Sequence, residues 1–477
     1  MRDTTRWLAV VAGLLLIGSH PARAADPPPN LVLIFCDDLG YGDLGCTGAE
    51  GYATPNVDRL AREGVRLTDF YVSSAVCSAS RAALMTGCYH ERVSIRGALG
   101  PTAKIGLSRR ETTIAEMLKS RGYATGMAGK WHLGARPSQL PVHHGFDEYL
   151  GLPYSNDMWP HHPERPDGYP NLPLIEGDRV VDPDVTADDQ KSLTGAYTRR
   201  AVEFIRKNRD RPFFFYLAHS MPHVPLFRSD AFAGKTGRGA FGDVIAEIDA
   251  GVGEILRTLD ELDLAGRTLV VFTSDNGPWL SYGDHAGSAG PLREGKGTSF
   301  EGGIREPFLA RWPGRIPAGS TCGEVAATID LLPTFAAIAG ASPPDLPIDG
   351  KDITPLLLAT PGARSPHEAL GIWYDGSLQA VRSGPWKLLL PHESRTMKGQ
   401  APGRGGVPGT YRKLAVGLEL YNLADDPGEA RDVADAHPEV VARLRARADA
   451  MRRELGDAGM NIRGTAVRPP DRGEGAP

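Results

Sequence analysis

A chain of 477 residues with a net charge of -5 is too long for one ordinary core, and predicts a large domain followed by a smaller one. The mild charge and the lack of any basic run exclude a nucleic-acid footprint. Ordinary hydrophobic content with abundant glycine describes a globular protein with many shaped loops. The five cysteines, Cys36, Cys46, Cys77, Cys88 and Cys322, are an odd number. In an oxidising compartment at least one thiol is then unpaired or otherwise used, and the remaining four allow two disulfides or none.

Arg2 and Arg6 precede an apolar run from Trp7 to Ile17, followed by Ala22-Arg23-Ala24. That pattern reads as a signal peptide, residues 1–24, cleaved after Ala24. The run is short for a membrane span and no later stretch is longer, so the mature protein is expected to be exported, periplasmic or secreted, without stable membrane insertion.

Asn30-Leu31-Val32-Leu33-Ile34-Phe35-Cys36 has the continuous apolar character of a buried parallel strand and ends abruptly in Asp37-Asp38. Adjacent carboxylates repel unless something positive lies between them. A short helix beginning at Pro55 and running to Gly64 and a strand over 65–70 lead to Val76-Cys77-Ser78-Ala79-Ser80-Arg81. Here a cysteine opens a helix that ends near Gly87, with Ser78 and Ser80 of the type that caps helix starts. Arg81, four residues on, shares a helical face with Cys77, so a cation and a helix N-terminus both flank the sulfur. Such a position suits an anion.

A helix over 112–120 and a strand over 123–127 follow, leading into Gly129-Lys130-Trp131-His132-Leu133-Gly134. In an extended segment Lys130 and His132 face the same way. Residues 153–192, rich in Pro, Asp and Gly, read as a long surface excursion. A helix over 197–208 precedes an apolar strand over 212–217, which ends in His219-Ser220-Met221-Pro222-His223-Val224-Pro225. The prolines on either side of His223 stiffen its backbone. A long amphipathic helix over 241–264 delivers the chain to Thr268-Leu269-Val270-Val271-Phe272-Thr273-Ser274, which ends in Asp275-Asn276-Gly277. Apolar strands with polar residues at their carboxyl ends converge on one crevice in alternating strand and helix proteins. Lys296 lies in the glycine-rich loop that follows, with a helix around 325–339 beyond it. The proline-rich stretch 342–355 marks a boundary. The smaller domain then shows a hairpin over 378–390, a strand over 418–423 and a charged helix over 437–455.

Asp37, Asp38, Asp275 and Asn276 offer only oxygen ligands, whereas Cys77, Arg81, Lys130, His132, His223 and Lys296 surround an anion. Hard oxygen donors select calcium or magnesium over zinc. A divalent ion among three carboxylates, with two lysines and an arginine nearby, suits a tetrahedral oxyanion ester.

Cys77-Ser78-Ala79-Ser80-Arg81 resembles the formylglycine signature of type I sulfatases, within the alkaline phosphatase-like superfamily. Leu33-Ile34-Phe35-Cys36-Asp37-Asp38-Leu39-Gly40, Gly129-Lys130-Trp131-His132-Leu133-Gly134 and Gly295-Lys296-Gly297-Thr298-Ser299-Phe300-Glu301-Gly302-Gly303 match in the family's order. The pattern is most similar to the arylsulfatase A and galactosamine-6-sulfatase branch, especially at Gly151-Leu152-Pro153-Tyr154-Ser155 and Arg305-Glu306-Pro307. The resemblance implies an α/β fold: a large mixed sheet flanked by helices over 25–362, a smaller C-terminal α+β domain over 363–465, and a disordered tail over 466–477. It implies hydrolysis of sulfate esters, of a sulfated carbohydrate or an aryl sulfate. One calcium ion, in preference to magnesium, would be held by Asp37, Asp38, Cys77, Asp275 and Asn276.

The resemblance further implies that a maturation enzyme converts Cys77 to formylglycine, whose hydrate attacks sulfur and is restored when a base, His132, removes the second hydroxyl proton. Arg81 and Lys130 would stabilise the diol and the sulfate charge. His223 and Lys296 match positions that contact sulfate and protonate the leaving oxygen, and Ser155 matches a further sulfate contact. His219 competes with His223, which stands two residues before a proline as the family pattern has it. Cys36 reads as strand packing, and Cys88 has no family role. Ala79 stands where the signature usually has proline, which leaves the maturation route open. Two other readings remain: a phosphodiesterase or phosphonate hydrolase of the same superfamily, and a non-catalytic sulfated-glycan-binding protein if Cys77 stays a thiol.

Overall fold

The computed structural model describes residues 28–473, so segment 1–24, expected to be a signal peptide, lies outside the described residues. An eleven-stranded mixed sheet is built from β1 (Asn30–Cys36), β2 (Val65–Tyr71), β3 (Ala124–Gly129), β4 (Glu148–Gly151), β5 (Leu174–Glu176), β6 (Arg179–Asp182), β7 (Phe213–Ala218), β8 (Thr268–Ser274), β9 (Arg305–Arg311), β10 (Ser320–Cys322) and β11 (Ala326–Ala327). Its order is β10-β2-β9-β8-β1-β7-β3-β4-β5-β6, with β11 also on β2. β8, β1, β7, β3 and β4 run parallel, while β9 is antiparallel to both of its neighbours.

Both faces of the sheet are covered, which explains why its central strands are buried at every position and apolar over most of their length. The alternation of β1 sends Leu31, Leu33 and Phe35 into one core, with α2 (Cys77–Thr86), α3 (Ile114–Lys119) and α7 (Leu331–Ala339). Val32, Ile34 and Cys36 enter the other, with α1 (Pro55–Glu63), α4 (Ala187–Lys207) and α5 (Gly239–Glu261). Two four-residue helices, α6 (Glu301–Ile304) and α8 (Thr354–Leu357), complete the helices of this body.

The expected elements recur with three differences. The helix expected over 197–208 begins ten residues earlier, at Ala187, because Thr186 caps it: the Thr186 hydroxyl accepts from Asp189 N–H and the Asp189 carboxylate accepts from Thr186 N–H. The excursion over 153–192 contains the β5–β6 hairpin, which extends the sheet edge. In the helix expected around 325–339, residues Ala326–Ala327 instead pair with β2, and the helix starts at Leu331.

A second, antiparallel sheet comprises β12 (Leu370–Tyr374), β13 (Ser377–Ser383), β14 (Trp386–Leu389) and β17 (Glu419–Asn422), joined by a ribbon of β15 (His392–Thr396) and β16 (Arg412–Val416). β12 and β13 are linked by Asp375-Gly376, both with positive φ, the two-residue turn whose twist matches that of the strands. α9 (Pro438–Leu455) covers this sheet, and their shared core includes Ala83 of α2 and Trp373. Residues 466–473, expected to be disordered, instead lie against the larger body: Arg468 pairs with Glu111, and Asp471 and Gly106 exchange backbone hydrogen bonds. All five cysteines are free. No helix among the described residues is long and apolar enough to cross a membrane.

Lys387 on β14 is fully buried between Glu301 (3.0 Å) and Glu429 (2.8 Å), tying the second sheet to α6. Removing one member of a buried ion group strands the others without solvent. Lys387→Met is therefore expected to lower the free energy of unfolding by about 3–5 kcal/mol in denaturant titration. An unchanged midpoint would show that the lysine contributes nothing to cohesion.

Candidate active site

Register places the site. Cys36 pairs with Ser274, Phe35 with Ala218, and Gly129 with Ala218, so Asp37 and Asp275 leave their strands side by side, one residue beyond the level at which His219 and Lys130 leave theirs. Backbone hydrogen bonds extend this level past the strands, from Asp275 N–H to Cys36 O and from Lys130 N–H to Ala218 O. Gly129 has φ of +113°, and a Cβ there would lie 1.7 Å from Ala218 O, so only glycine lets β3 close on β7.

α2 approaches from the side with all ten of its residues buried. Its N-cap is Val76, with no side-chain cap. Ser78, expected at the helix start for its capping chemistry, instead accepts a hydrogen bond from Leu99 N–H. Cys77 is 2% exposed, and its Sγ lies 3.6 Å from both Asp37 Oδ1 and Lys296 Nζ. One turn on, Arg81 donates through Nε (3.0 Å) to Asp275 and pairs with it through Nη2 (2.8 Å), and its Nη1 donates to Lys130 O.

Lys130 donates to Asp37 and, at 3.2 Å, to Ser155 Oγ. Lys296 contacts both oxygens of Asp38, at 2.7 and 2.8 Å, and its ammonium stands 4.4 Å from the centre of the Trp279 ring. Three buried carboxylates thus face three buried cations. Burial alone would raise Asp37, but Lys130, His223 and Arg81 hold it well below the usual carboxylate range. Burial and the charge of Asp37 push Asp275 up to about 7 despite Arg81. Burial also pushes the Cys77 thiol well up, against the pull of Lys130 and Lys296, so the thiolate is disfavoured as a nucleophile.

Asp37, Asp38, Cys77 and His223 each place a ligand atom within 4.8 Å of the others. Asn276 Oδ1 is buried without a partner, while its Nδ2 donates to Asp38 Oδ1. Carboxylates together with an orphaned amide oxygen fit a hard divalent cation. Both Asp275 oxygens are engaged, one by Asp38 N–H and the other by Arg81.

The histidines differ sharply. The segment carrying Lys130 and His132 is not extended, because His132 has a φ of +61°. His132 Nε2–H donates to Leu99 O at 2.9 Å, which leaves the Nδ1 lone pair buried and unpartnered. Burial, then Lys130 and Arg81, hold its imidazole well below the ordinary value. His223 Nδ1–H donates to Val224 O, and Nε2 lies 3.6 Å from Asp38. His219 is fully buried with neither ring nitrogen partnered.

A cavity of about 270 Å³ opens above Cys77, lined also by His132, Ser155, His223 and Lys296. Arg81 and Lys130 lie behind this layer, and His219 is not part of the lining. All eleven residues expected at the site are thereby brought together. Sequence reasoning missed Trp279, Asp157, Arg165, Tyr374 and Arg395, which also line the cavity. Asp157, two residues after Ser155, and Trp279, three after Asn276, were within reach of the motifs; Tyr374 and Arg395 carried no local signal.

The family model described as Sulfatase matches residues 29–341. The chain belongs to the sulfatase family. It is 42% identical to arylsulfatase A of Homo sapiens over 459 residues, 90% of this chain and 89% of that one. It is 37% identical to N-acetylgalactosamine-6-sulfatase of Sus scrofa over 469 residues, 92% of this chain and 88% of the relative. The crystal structure of the PsFucS1 sulfatase from Pseudoalteromonas sp. aligns with a TM-score of 0.79 and 28% identity, covering 89% of each chain. The protein is accordingly a sulfuric ester hydrolase of the branch that its motifs resemble. Formylglycine and a metal ion are known features of sulfatases, and the buried Asp/Cys/His group could hold a metal.

His219 supplies a pH signature. Burial lowers its pKa from 6.5 to about 4, so below pH 6.5 the unfolded chain takes up a proton that the folded one refuses. Stability is full above pH 6.5 and falls as pH drops toward 4, by on the order of 3 kcal/mol from this residue. Unfolding free energies measured across that window are expected to show a shallower acid loss in His219→Gln. Parallel curves for the two proteins would exclude this assignment.

Proposed function

We propose that this sulfatase hydrolyses the sulfate ester of a sulfated carbohydrate, with aryl sulfates as accessible small substrates, through formylglycine formed from Cys77. The observation that carries the reading is the position of Cys77: a buried sulfur at the head of α2, open to the cavity and 3.6 Å from both Asp37 and Lys296. In the mature enzyme that Sγ stands in for the formylglycine hydrate, which supplies the hydroxyl that attacks sulfur. Asp37, Asp38, Asp275, Asn276 and the oxygen at position 77 would hold a calcium ion, which would supply fixed positive charge to the site.

The chain's own residues do the rest. Arg81 holds Asp275, and Lys130 holds Asp37 and Ser155, so the carboxylate cluster needs no rearrangement when charge develops. His132 lines the cavity and its unpartnered Nδ1 offers a lone pair, the property required of the base that takes the second hydroxyl proton. Lys296 and His223 present their nitrogens to the sulfate. There the anion offsets the burial and the Lys296 charge that depress His223, so its Nε2 can carry a proton to the leaving oxygen. Ser155 supplies a further hydroxyl contact.

Ala79 leaves the maturation enzyme's recognition as the distinctive step for this chain. Residues 1–24 direct export, residues 25–362 form the catalytic domain and residues 363–465 the smaller one. A phosphodiesterase or glycan-binding role is not favoured, since the family match and the relatives named above are sulfatases.

Two measurements test the reading. Mass spectrometry of the peptide containing Cys77, from protein made in its native host, is expected to find the aldehyde, and Cys77→Ala to abolish aryl sulfate turnover with thermal stability unchanged. An unmodified thiol in active enzyme would refute the mechanism. Chelator-treated enzyme is expected to lose activity and to regain it with calcium better than with magnesium or zinc; recovery with zinc alone would replace the hard-ion assignment.

A further inference from the structure

Residues 466–471 leave α9, where Ala466 N–H donates to Glu454 O, and cross to the larger body as a strap that meets both ends of segment 92–106. At one end Arg468 N–H donates to Arg92 O at 2.6 Å, and Arg468 O accepts from Ser94 Oγ at 2.7 Å. At the other, Asp471 and Gly106 exchange backbone hydrogen bonds of 2.9 Å. The Arg468 guanidinium fixes the crossing with a forked pair to buried Glu111, through Nε at 2.8 Å and Nη2 at 2.7 Å.

The segment between these anchors has little structure of its own. Residues 95–105 belong to no helix or strand, and Ser94 has a φ of +57°, a conformation that a serine keeps only where its surroundings fix it. Its crown nevertheless serves the site. Gly97 O accepts from Ala79 N–H at 3.2 Å, satisfying a first-turn donor of α2 that Val76 has no side chain to cap. Leu99 N–H donates to Ser78 Oγ, and Leu99 O accepts the His132 Nε2–H bond that leaves Nδ1 as the lone pair. The same three residues of the crown thus hold both the head of α2 and His132.

We propose that Arg468 is a positioning residue for the sulfatase reaction: the strap clamps segment 92–106 at both ends, and the clamped crown fixes His132 relative to residue 77. The inference rests on the reading of His132 as the base. Residue 77 and His132 stand on different elements, α2 and the segment after β3, so their mutual orientation is only as firm as the backbone that bridges them. A reaction between groups held in place loses rate steeply when one of them is displaced.

The test compares the parent, the full chain carrying Arg468→Ala, and a chain ending at Val467; the single substitution carries it if truncation prevents folding. Hydrogen exchange read by mass spectrometry is expected to be about tenfold faster in both variants over residues 94–106 and the first turn of α2, with β13 and β14 unchanged. Aryl sulfate turnover, at a temperature where circular dichroism shows each protein folded, is expected to lose about tenfold in kcat with KM within about twofold, because Lys296 and His223 come from other elements. Arg468→Lys, able to keep one of the two contacts to Glu111, is expected to recover part of that loss. Unchanged exchange over 94–106, unchanged kcat despite faster exchange, or a loss carried by KM alone would overturn the proposal. The exchange measurement needs no turnover, so the hold of the strap is decided even if the parent's own turnover, measured alongside, refutes the proposed chemistry.

Discussion

The site depends on a balance of buried charge. Asp37, Asp38 and Asp275 would repel one another out of the folded state if Arg81, Lys130 and Lys296 did not reach them from three different elements, α2, the segment after β3, and the loop before α6. Desolvating so many ions costs several kcal/mol each, and only close, multiply hydrogen-bonded geometry recovers it. The fold supplies that geometry through the sheet: the carboxylates stand on strand ends whose register is fixed by ladders in both cores. Misplacing any one partner leaves another unpaired in a place without water.

The balance also explains why α2 is buried on every side. A helix that presents Cys77 and Arg81 to strand ends must lie within the body of the protein. The second sheet closes over it, through Trp373 and the core shared with Ala83. The Glu301–Lys387–Glu429 group then ties that sheet to α6, the short helix immediately after the Lys296 loop. Chemistry and covering are thus parts of one packing arrangement.

What could be read in the sequence follows from the range of the interactions involved. β1 and β8 are buried on both faces, so each has a continuous apolar centre, Leu31–Cys36 and Leu269–Phe272, and the carboxylates just past their ends stand out. Lys296 was legible because glycines flank it. The β5–β6 hairpin and the β15–β16 ribbon are short and partly exposed, so no sustained apolar alternation marked them. The early start of α4 was hidden in a polar first turn whose stability comes from a cap. Lys130 and His132 do share a site, but the extended backbone expected for them is replaced by the left-handed conformation of His132. Arg395 and Tyr374 enter the cavity through tertiary packing alone.

The hydrogen bond from Arg395 to the carbonyl of Lys296 joins the β15–β16 ribbon to the loop that carries one of the three buried cations. The ribbon and the buried charge cluster therefore have a common mechanical element. A lineage that altered this ribbon to accept a new substrate would shift the lysine as well, so divergence in specificity is constrained to changes that leave one arginine in place.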